Sequence, residues 1–163
     1  MFSKTNEAIF GVPKFLSTEI EERKTKYCLC IPIINEGERI HKQLQRAQQH
    51  GIDKLVDIII CDGDSTDGST DIEQLKTLGV NTLLTKKDTG KQGAQLRMGF
   101  WFALARGYEG IITIDGNNKD SIESVPLFIE KLEQQFDFVQ GSRYVEGGKA
   151  INTPKIRHFA VKF

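Results

Sequence analysis

The sequence predicts an α/β protein built on a mainly parallel sheet with helices on both faces. Three observations carry that expectation. Short apolar runs of strand length, at 27–34, 56–61, 80–84, 110–114 and 136–140, alternate with helix-length segments at 38–50, 70–78, 91–106 and 122–135. Such alternation is how a parallel sheet with crossover helices reads in sequence. The run Ile58-Ile59-Ile60 is apolar at every position, as a strand buried on both faces must be. Gly51, Gly79 and Gly107 stand just where three of the helical segments stop, the position at which glycine commonly ends a helix.

Residues 1–26 are mixed and polar after a short apolar start, with Pro13 as a break and Thr18-Glu19-Ile20-Glu21-Glu22 pointing to a short helix. They read as an appendage to a main domain at 27–150. The first strand of that domain leaves through Asn35-Glu36-Gly37 into a polar, weakly amphipathic helix at 38–50. The third helix, at 91–106, carries Ala94, Met98, Trp101, Phe102 and Ala105 as an apolar stripe, which marks a core-facing side. In the last segment, 151–163, Ile156, Phe159, Ala160 and Phe163 recur at spacings of three and four beside Lys155, Arg157 and Lys162. That pattern reads as the start of an amphipathic helix continuing past the last residue, into a carboxyl-terminal part or onto a membrane surface.

At 163 residues the chain suits one domain with a proper core. Its 22 basic and 22 acidic side chains cancel, so no net field favours nucleic acid, and no nucleic-acid partner is expected. Cys28, Cys30 and Cys61 lie inside apolar strand runs, where cysteine behaves as a small buried hydrophobe, and no second Cys or His pair completes a tetrahedral metal set. No stretch reaches the ~18 apolar residues of a membrane span, and no secretory leader pattern is present. The expected location is cytoplasmic, with peripheral contact at the inner face of a membrane as an extension of the terminal stripe.

The chemistry concentrates at strand ends. Asp62-Gly63-Asp64-Ser65-Thr66-Asp67-Gly68-Ser69-Thr70 follows the second strand, and Asp115-Gly116-Asn117 follows the fourth. Open α/β sheets bind ligands in the crevice outside the carboxyl ends of their strands, so the two acidic loops are expected to converge on one nucleoside-diphosphate site. No Walker or dinucleotide glycine fingerprint accompanies them.

At Pro32-Ile33-Ile34-Asn35-Glu36, 62–70, 90–99, Asp115-Gly116-Asn117 and 141–148 the chain resembles family 2 glycosyltransferases of the GT-A fold. Within that family it is most similar to the polyprenyl-phosphate sugar transferase branch that includes dolichyl-phosphate mannose synthases. The resemblance spans about residues 27–148. It implies a GT-A type fold and a nucleoside-diphosphate-sugar donor gripped by Pro32, Ile34, Glu36, Asp62, Lys91, Asp115, Gly116, Asn117, Lys119 and Arg143. Asp115 and Arg143 would serve catalysis, and Asp115 and Asn117 would hold Mg2+ or Mn2+.

Chemistry agrees at several of these positions. Hard cations take oxygen ligands and bridge carboxylates to phosphates. A guanidinium such as Arg143 forks onto two phosphate oxygens, and Lys91 near a helix start suits an anion. Glu36 either binds base or ribose or, with Asn35, caps the next helix. Lys119 either neutralises diphosphate or is a solvated lysine. Gln95 and Arg97 are weaker candidates for the site, the other reading being that they form the exposed face of their helix. Asp67-Gly68 reads as a structural turn.

The chain departs from the family pattern twice. Gly63 stands where many relatives have a second Asp, and Asn117 replaces the second carboxylate of Asp-x-Asp. The second change predicts metal use with weakened dependence, with Lys119 supplying part of the charge and Asp120 near enough in sequence to add a ligand. The expected function is transfer of a hexosyl group, with inversion, from a nucleoside-diphosphate sugar to an undetermined acceptor, a lipid phosphate among the options. The alternatives are a nucleotide-sugar-binding fragment without turnover and a nucleotidyltransferase.

Overall fold

A computed structural model describes residues 3–5 and 11–142. The sheet has six strands in the order β1-β2-β5-β4-β3-β6, comprising β1 (Ser3–Thr5), β2 (Phe15–Glu19), β3 (Tyr27–Ile33), β4 (Asp57–Asp62), β5 (Val80–Lys86) and β6 (Gly110–Thr113). The four strands β5, β4, β3 and β6 run parallel, and β2 and β1 add antiparallel at one edge. The crossovers contain α1 (Glu38–Gln49), α2 (Ile72–Thr77) and α3 (Gln92–Ala105), and α4 (Val125–Glu133) follows β6. Helices lie on both faces, in the GT-A arrangement.

Alternation along the strands builds two cores. In β3 the odd positions Leu29, Ile31 and Ile33, with Ile58 and Ile60 of β4, pack with Ile40 and Leu44 of α1, Leu75 of α2 and Val125 of α4. The even positions Cys28 and Cys30, with Ile59 and Cys61, pack with Met98, Phe102 and Ala103 of α3. All three thiols are free and buried, the structural role their setting predicts. Contact with Cys30, then burial, pushes the Cys28 thiol far above its usual range. Helix α3 comes close enough to touch these sulfurs because residue 99 is glycine. A Cβ there would stand 2.6 Å from Cys61 Sγ and 3.2 Å from Cys30 Sγ.

Three local expectations change. No helix forms at residues 18–22: Thr18 and Glu19 end β2, which pairs Phe15 with Lys86 and Glu19 with Thr82 of β5, and residues 20–22 lead out of it. An isolated turn of helix is marginal, whereas β2 gains a ladder and buries Phe15. The segment read as an appendage thus supplies two strands, β1 and β2, to the main sheet. Residues 136–140, expected to be a strand, form none among the described residues, and Phe136 and Phe138 are exposed. A strand requires a paired neighbour, and sequence alternation alone cannot supply one. The buried side of α3 is also rotated from the expected stripe, because Gln95 and Gly99 face the sheet while Ala105 is exposed. The terminal stripe at 151–163 lies outside the described residues.

Asp57 closes the end of the sheet remote from the acidic loops. Its carboxylate accepts hydrogen bonds from Lys24 N (2.9 Å), Thr25 N (3.3 Å), Tyr108 OH (2.8 Å) and Asn81 Nδ2 (3.4 Å), joining four segments.

Candidate functional site

Strands β3, β4 and β5 end on the same side, and the loops after them, with the start of α3 and the loop after β6, enclose a cleft of about 540 Å³. Pro32, Ile34, Glu36, Lys91, Asp115, Gly116 and Asn117 all line it. So seven of the ten expected donor-binding positions meet in one place. Asp62 and Lys119 are not among the lining residues. Arg143 lies outside the described residues, as does the 147–148 glycine pair.

Asp62 is turned inward. It is 1% exposed, and its carboxylate accepts from Asp64 N, Ser65 N and Ser65 Oγ. Burial pushes its carboxyl above the ordinary value against the pull of those donors. Its visible work is to fold its own loop. That loop is also stitched to the one after β3, since Asn35 N donates to Ser65 Oγ (2.9 Å) and Thr66 N donates to Asn35 Oδ1 (2.9 Å). Asn35 therefore joins two loops and does not cap α1, whose N-cap is Gly37 without a side-chain bond. Asp67 accepts from Ser69 N (3.1 Å) and Ser69 Oγ (2.5 Å), the turn-holding role read from sequence.

Glu36 carries a buried oxygen without a hydrogen bond. Arg39 Nε lies 3.0 Å from Glu36 Oε2, yet its N–H is directed at the Glu36 carbonyl (3.4 Å), so the buried Oε2 has no hydrogen bond. That oxygen is ion-paired with Arg39 but accepts no aligned hydrogen bond, so an incoming hydroxyl or N–H can add one.

At the other end of the cleft Asp115 is exposed. Its Oδ1 accepts from Gln92 Nε2 of α3 at 2.6 Å, and its backbone carbonyl accepts from Gln43 Nε2 of α1 at 3.0 Å. Asn117 turns its Oδ1 onto Lys119 N (3.0 Å). Among the described residues no three His, Cys, Asp or Glu side chains gather as a metal cage. One carboxylate with a second oxygen to spare is nevertheless enough for a cation whose remaining ligands are diphosphate oxygens and water. The residues present fit a cation shared with a ligand.

Two further side chains shape the floor. Lys86, the last residue of β5, is 7% exposed and lines the cleft, and its Nζ donates to the Asp88 carbonyl. Among the described residues no carboxylate sits within ion-pair distance of it, so its charge is offset by that carbonyl and by the more distant Asp88 carboxylate. Sequence reasoning passed over it as one lysine of a polar loop, and the only available signal was its place at a strand's carboxyl end. Gln95 is buried and not on an exposed face, and its Nε2 donates to Ile33 O and to Cys61 O (3.0 Å), riveting α3 to the ends of β3 and β4. The same nitrogen would lie 2.9 Å from a Cβ at residue 63. This explains the departure at Gly63, because the Gln95 amide occupies the space a second Asp would need.

An exposed carboxylate, a glutamate oxygen without a hydrogen bond and two lysines thus gather around one cleft at the strand ends of a mostly parallel sheet, where open α/β proteins bind ligands. Residues 28–162 match the model of Glycosyl transferase family 2, and the chain belongs to that family. Its relatives include an undecaprenyl-phosphate mannosyltransferase of Micrococcus luteus, 31% identical over 130 residues that make up 78% of this chain and 52% of that protein. A dolichol-phosphate mannosyltransferase of Pyrococcus furiosus is 28% identical over 84% of this chain and 38% of its own. A polyprenol monophosphomannose synthase of Mycolicibacterium smegmatis is 28% identical over 76% of this chain and 47% of its own. The chain thus spans about half or less of the length of these relatives. Among the described residues no helix is long and apolar enough to cross a membrane.

Proposed function

We propose that this chain is the donor-binding part of a glycosyltransferase that moves a hexosyl group, with inversion, from a nucleoside-diphosphate sugar to a polyprenyl-phosphate acceptor. The observation that carries the reading is the convergence of the Glu36 oxygen without a hydrogen bond, the buried Lys86 ammonium, Lys91 and the exposed Asp115 carboxylate in one cleft. The relatives, two polyprenyl-type phosphate mannosyltransferases and a polyprenol monophosphomannose synthase, favour mannose as the sugar and a polyprenyl phosphate as the acceptor.

In this reading Glu36 accepts from the nucleoside, Ile34 offers apolar surface to it, and the lysines offset the diphosphate charge that grows as the donor bond breaks. Asp115, with Asn117 beside it, would hold Mg2+ or Mn2+, which supplies Lewis-acid stabilisation of the leaving diphosphate. A phosphate acceptor is already anionic, so no general base is required of the protein. The acceptor approaches the sugar from the open side of the cleft and binds at or near a membrane surface.

A second reading is donor binding without turnover. Calorimetric titration with GDP-, UDP- and dTDP-sugars, with and without Mn2+, tests both. Micromolar to millimolar binding of one donor class is expected. Transfer to a short polyprenyl phosphate separates the first reading from the second, and absence of binding to every donor overturns both.

A further inference from the structure

We propose that Gln43, on α1 and outside the cleft, is a positioning residue that sets the reach of the Asp115 carboxylate. This rests on the reading of Asp115 as the cation- and diphosphate-facing group. Gln43 is fully buried in a helix whose other polar residues mostly face solvent. Both ends of its amide are spent on one loop. Nε2 donates to Asp115 O at 3.0 Å and Oε1 accepts from Asn118 N at 2.8 Å, so a single side chain grips the loop at both ends of the turn that displays Asp115, Gly116 and Asn117.

Arg46, three residues further along α1, completes the grip. Its NH1 donates to Asn118 Oδ1 at 2.7 Å, and its NH2 pairs with both Glu123 oxygens at 2.6 and 2.8 Å, beyond the loop. Asn118 sits at φ 59°, a left-handed conformation that asparagine tolerates when its side chain is hydrogen-bonded. The sheet cannot do this work. β6 ends at Thr113, and the last sheet-like bond, Ile114 N to Cys30 O, is already 3.4 Å long. The position of Asp115 relative to the cleft is therefore decided by α1 behind it and by Gln92 in front. Groups that orient ligating side chains from behind typically change metal affinity or activity by 10–100-fold when removed.

A bland alternative is that Gln43 only satisfies two buried backbone groups and supports the fold. The two differ in how Gln43→Leu combines with Asp115→Ala. In the 163-residue chain, calorimetry is expected to show Gln43→Leu lowering the Mn2+-dependent part of nucleoside-diphosphate-sugar affinity by about tenfold while the metal-independent part stays level. In the Asp115→Ala background the same substitution is expected to cost less than about twofold, because there is no carboxylate left to place. An equal loss in both backgrounds, or unchanged Mn2+ dependence in a folded Gln43→Leu protein, overturns the proposal.

Should Gln43→Leu fail to fold, Gln43→Glu and Arg46→Gln replace it. Glutamate keeps the acceptor for Asn118 N but turns a carboxylate toward the Asp115 carbonyl, so the same loss in Mn2+ dependence is expected, and normal dependence in both variants overturns the proposal. Absence of donor binding by the unsubstituted chain would instead sink the functional reading. Mn2+-induced broadening of the Asp115 amide resonance then decides the matter, since broadening equal in wild type and Gln43→Leu overturns the positioning role and loss of broadening in the variant supports it.

Discussion

Single residues at the two ends of the cleft make opposite demands on stability and binding. Lys86 is a buried ammonium whose partner among the described residues is a backbone carbonyl. Burying a charge carries a desolvation cost that one carbonyl bond only partly repays, so an apolar side chain of similar shape is tolerated there. Lys86→Met is therefore expected to keep or raise the unfolding midpoint in urea while weakening nucleoside-diphosphate-sugar binding by at least about tenfold, as loss of a desolvated charge contact does. A variant with undiminished donor affinity would remove Lys86 from the binding surface. Asn117→Asp restores a second carboxylate beside Asp115, and stronger Mn2+ dependence of donor affinity is expected from it. Flat or weaker dependence by calorimetry would show that residue 117 serves the turn to Lys119 N and not the cation.

At the scale of elements, the packing of α3 on the sheet depends on a missing side chain. Alanine at residue 99 would gain about 1 kcal/mol of helix propensity, but its Cβ would overlap two sulfurs in strands that are fully buried. Overpacking of a closed core costs about 1–3 kcal/mol, so Gly99→Ala is expected to be net destabilising in urea. The double variant Gly99→Ala, Cys61→Ala exchanges one small volume for another and is expected to recover most of the loss. Failure to recover it would place the strain elsewhere.

The contact between α1 and the turn before α4 has its own signature in pH. Partial burial pushes the Glu123 carboxyl up, and the Arg46 guanidinium more than offsets this, so it is held below its usual 4.5. A depressed carboxylate stabilises the fold fully above its unfolded value and loses that contribution as pH falls through the folded one. Wild type is expected to exceed Glu123→Gln by about 1 kcal/mol at pH 7, since the pair is one-third exposed. The gap should close below about pH 4. A gap that widens in acid would contradict the pairing.

For the molecule as a whole, donor binding and folding are linked, because the cleft is assembled from the ends of three strands, the loop after β6 and the start of one helix. A ligand that binds only the folded chain adds about 2.7 kcal/mol at a hundred times its dissociation constant. For a protein of this size that corresponds to a rise in Tm of about 5–10 °C. Differential scanning calorimetry with the preferred nucleoside-diphosphate sugar checks this, and no shift at saturation would mean that the ligand does not engage the folded cleft. Donor affinity is the property expected of this chain.

Much of the fold was legible in the residues because its signals are local. Apolar runs bounded by glycines mark β3, β4 and β5, and strand ends carrying Asp62 and Asp115 locate the crevice without any knowledge of packing. The resemblance to the family supplied the expected donor-binding positions, and seven of them meet in one cleft because the parallel strands end on the same side. What sequence could not show are the interactions between elements distant along the chain. The pairing of β2 with β5 overrode local helix signals. The burial of Gln95 and Lys86 and the grip of Gln43 on Asp115 join residues between 34 and 75 positions apart or arise from burial alone. Polar residues on a helix carry no mark of which will face a loop across the sheet. Only the tertiary packing of α1 and α3 against the strand ends decides that, because it determines which backbone groups are left for them to satisfy.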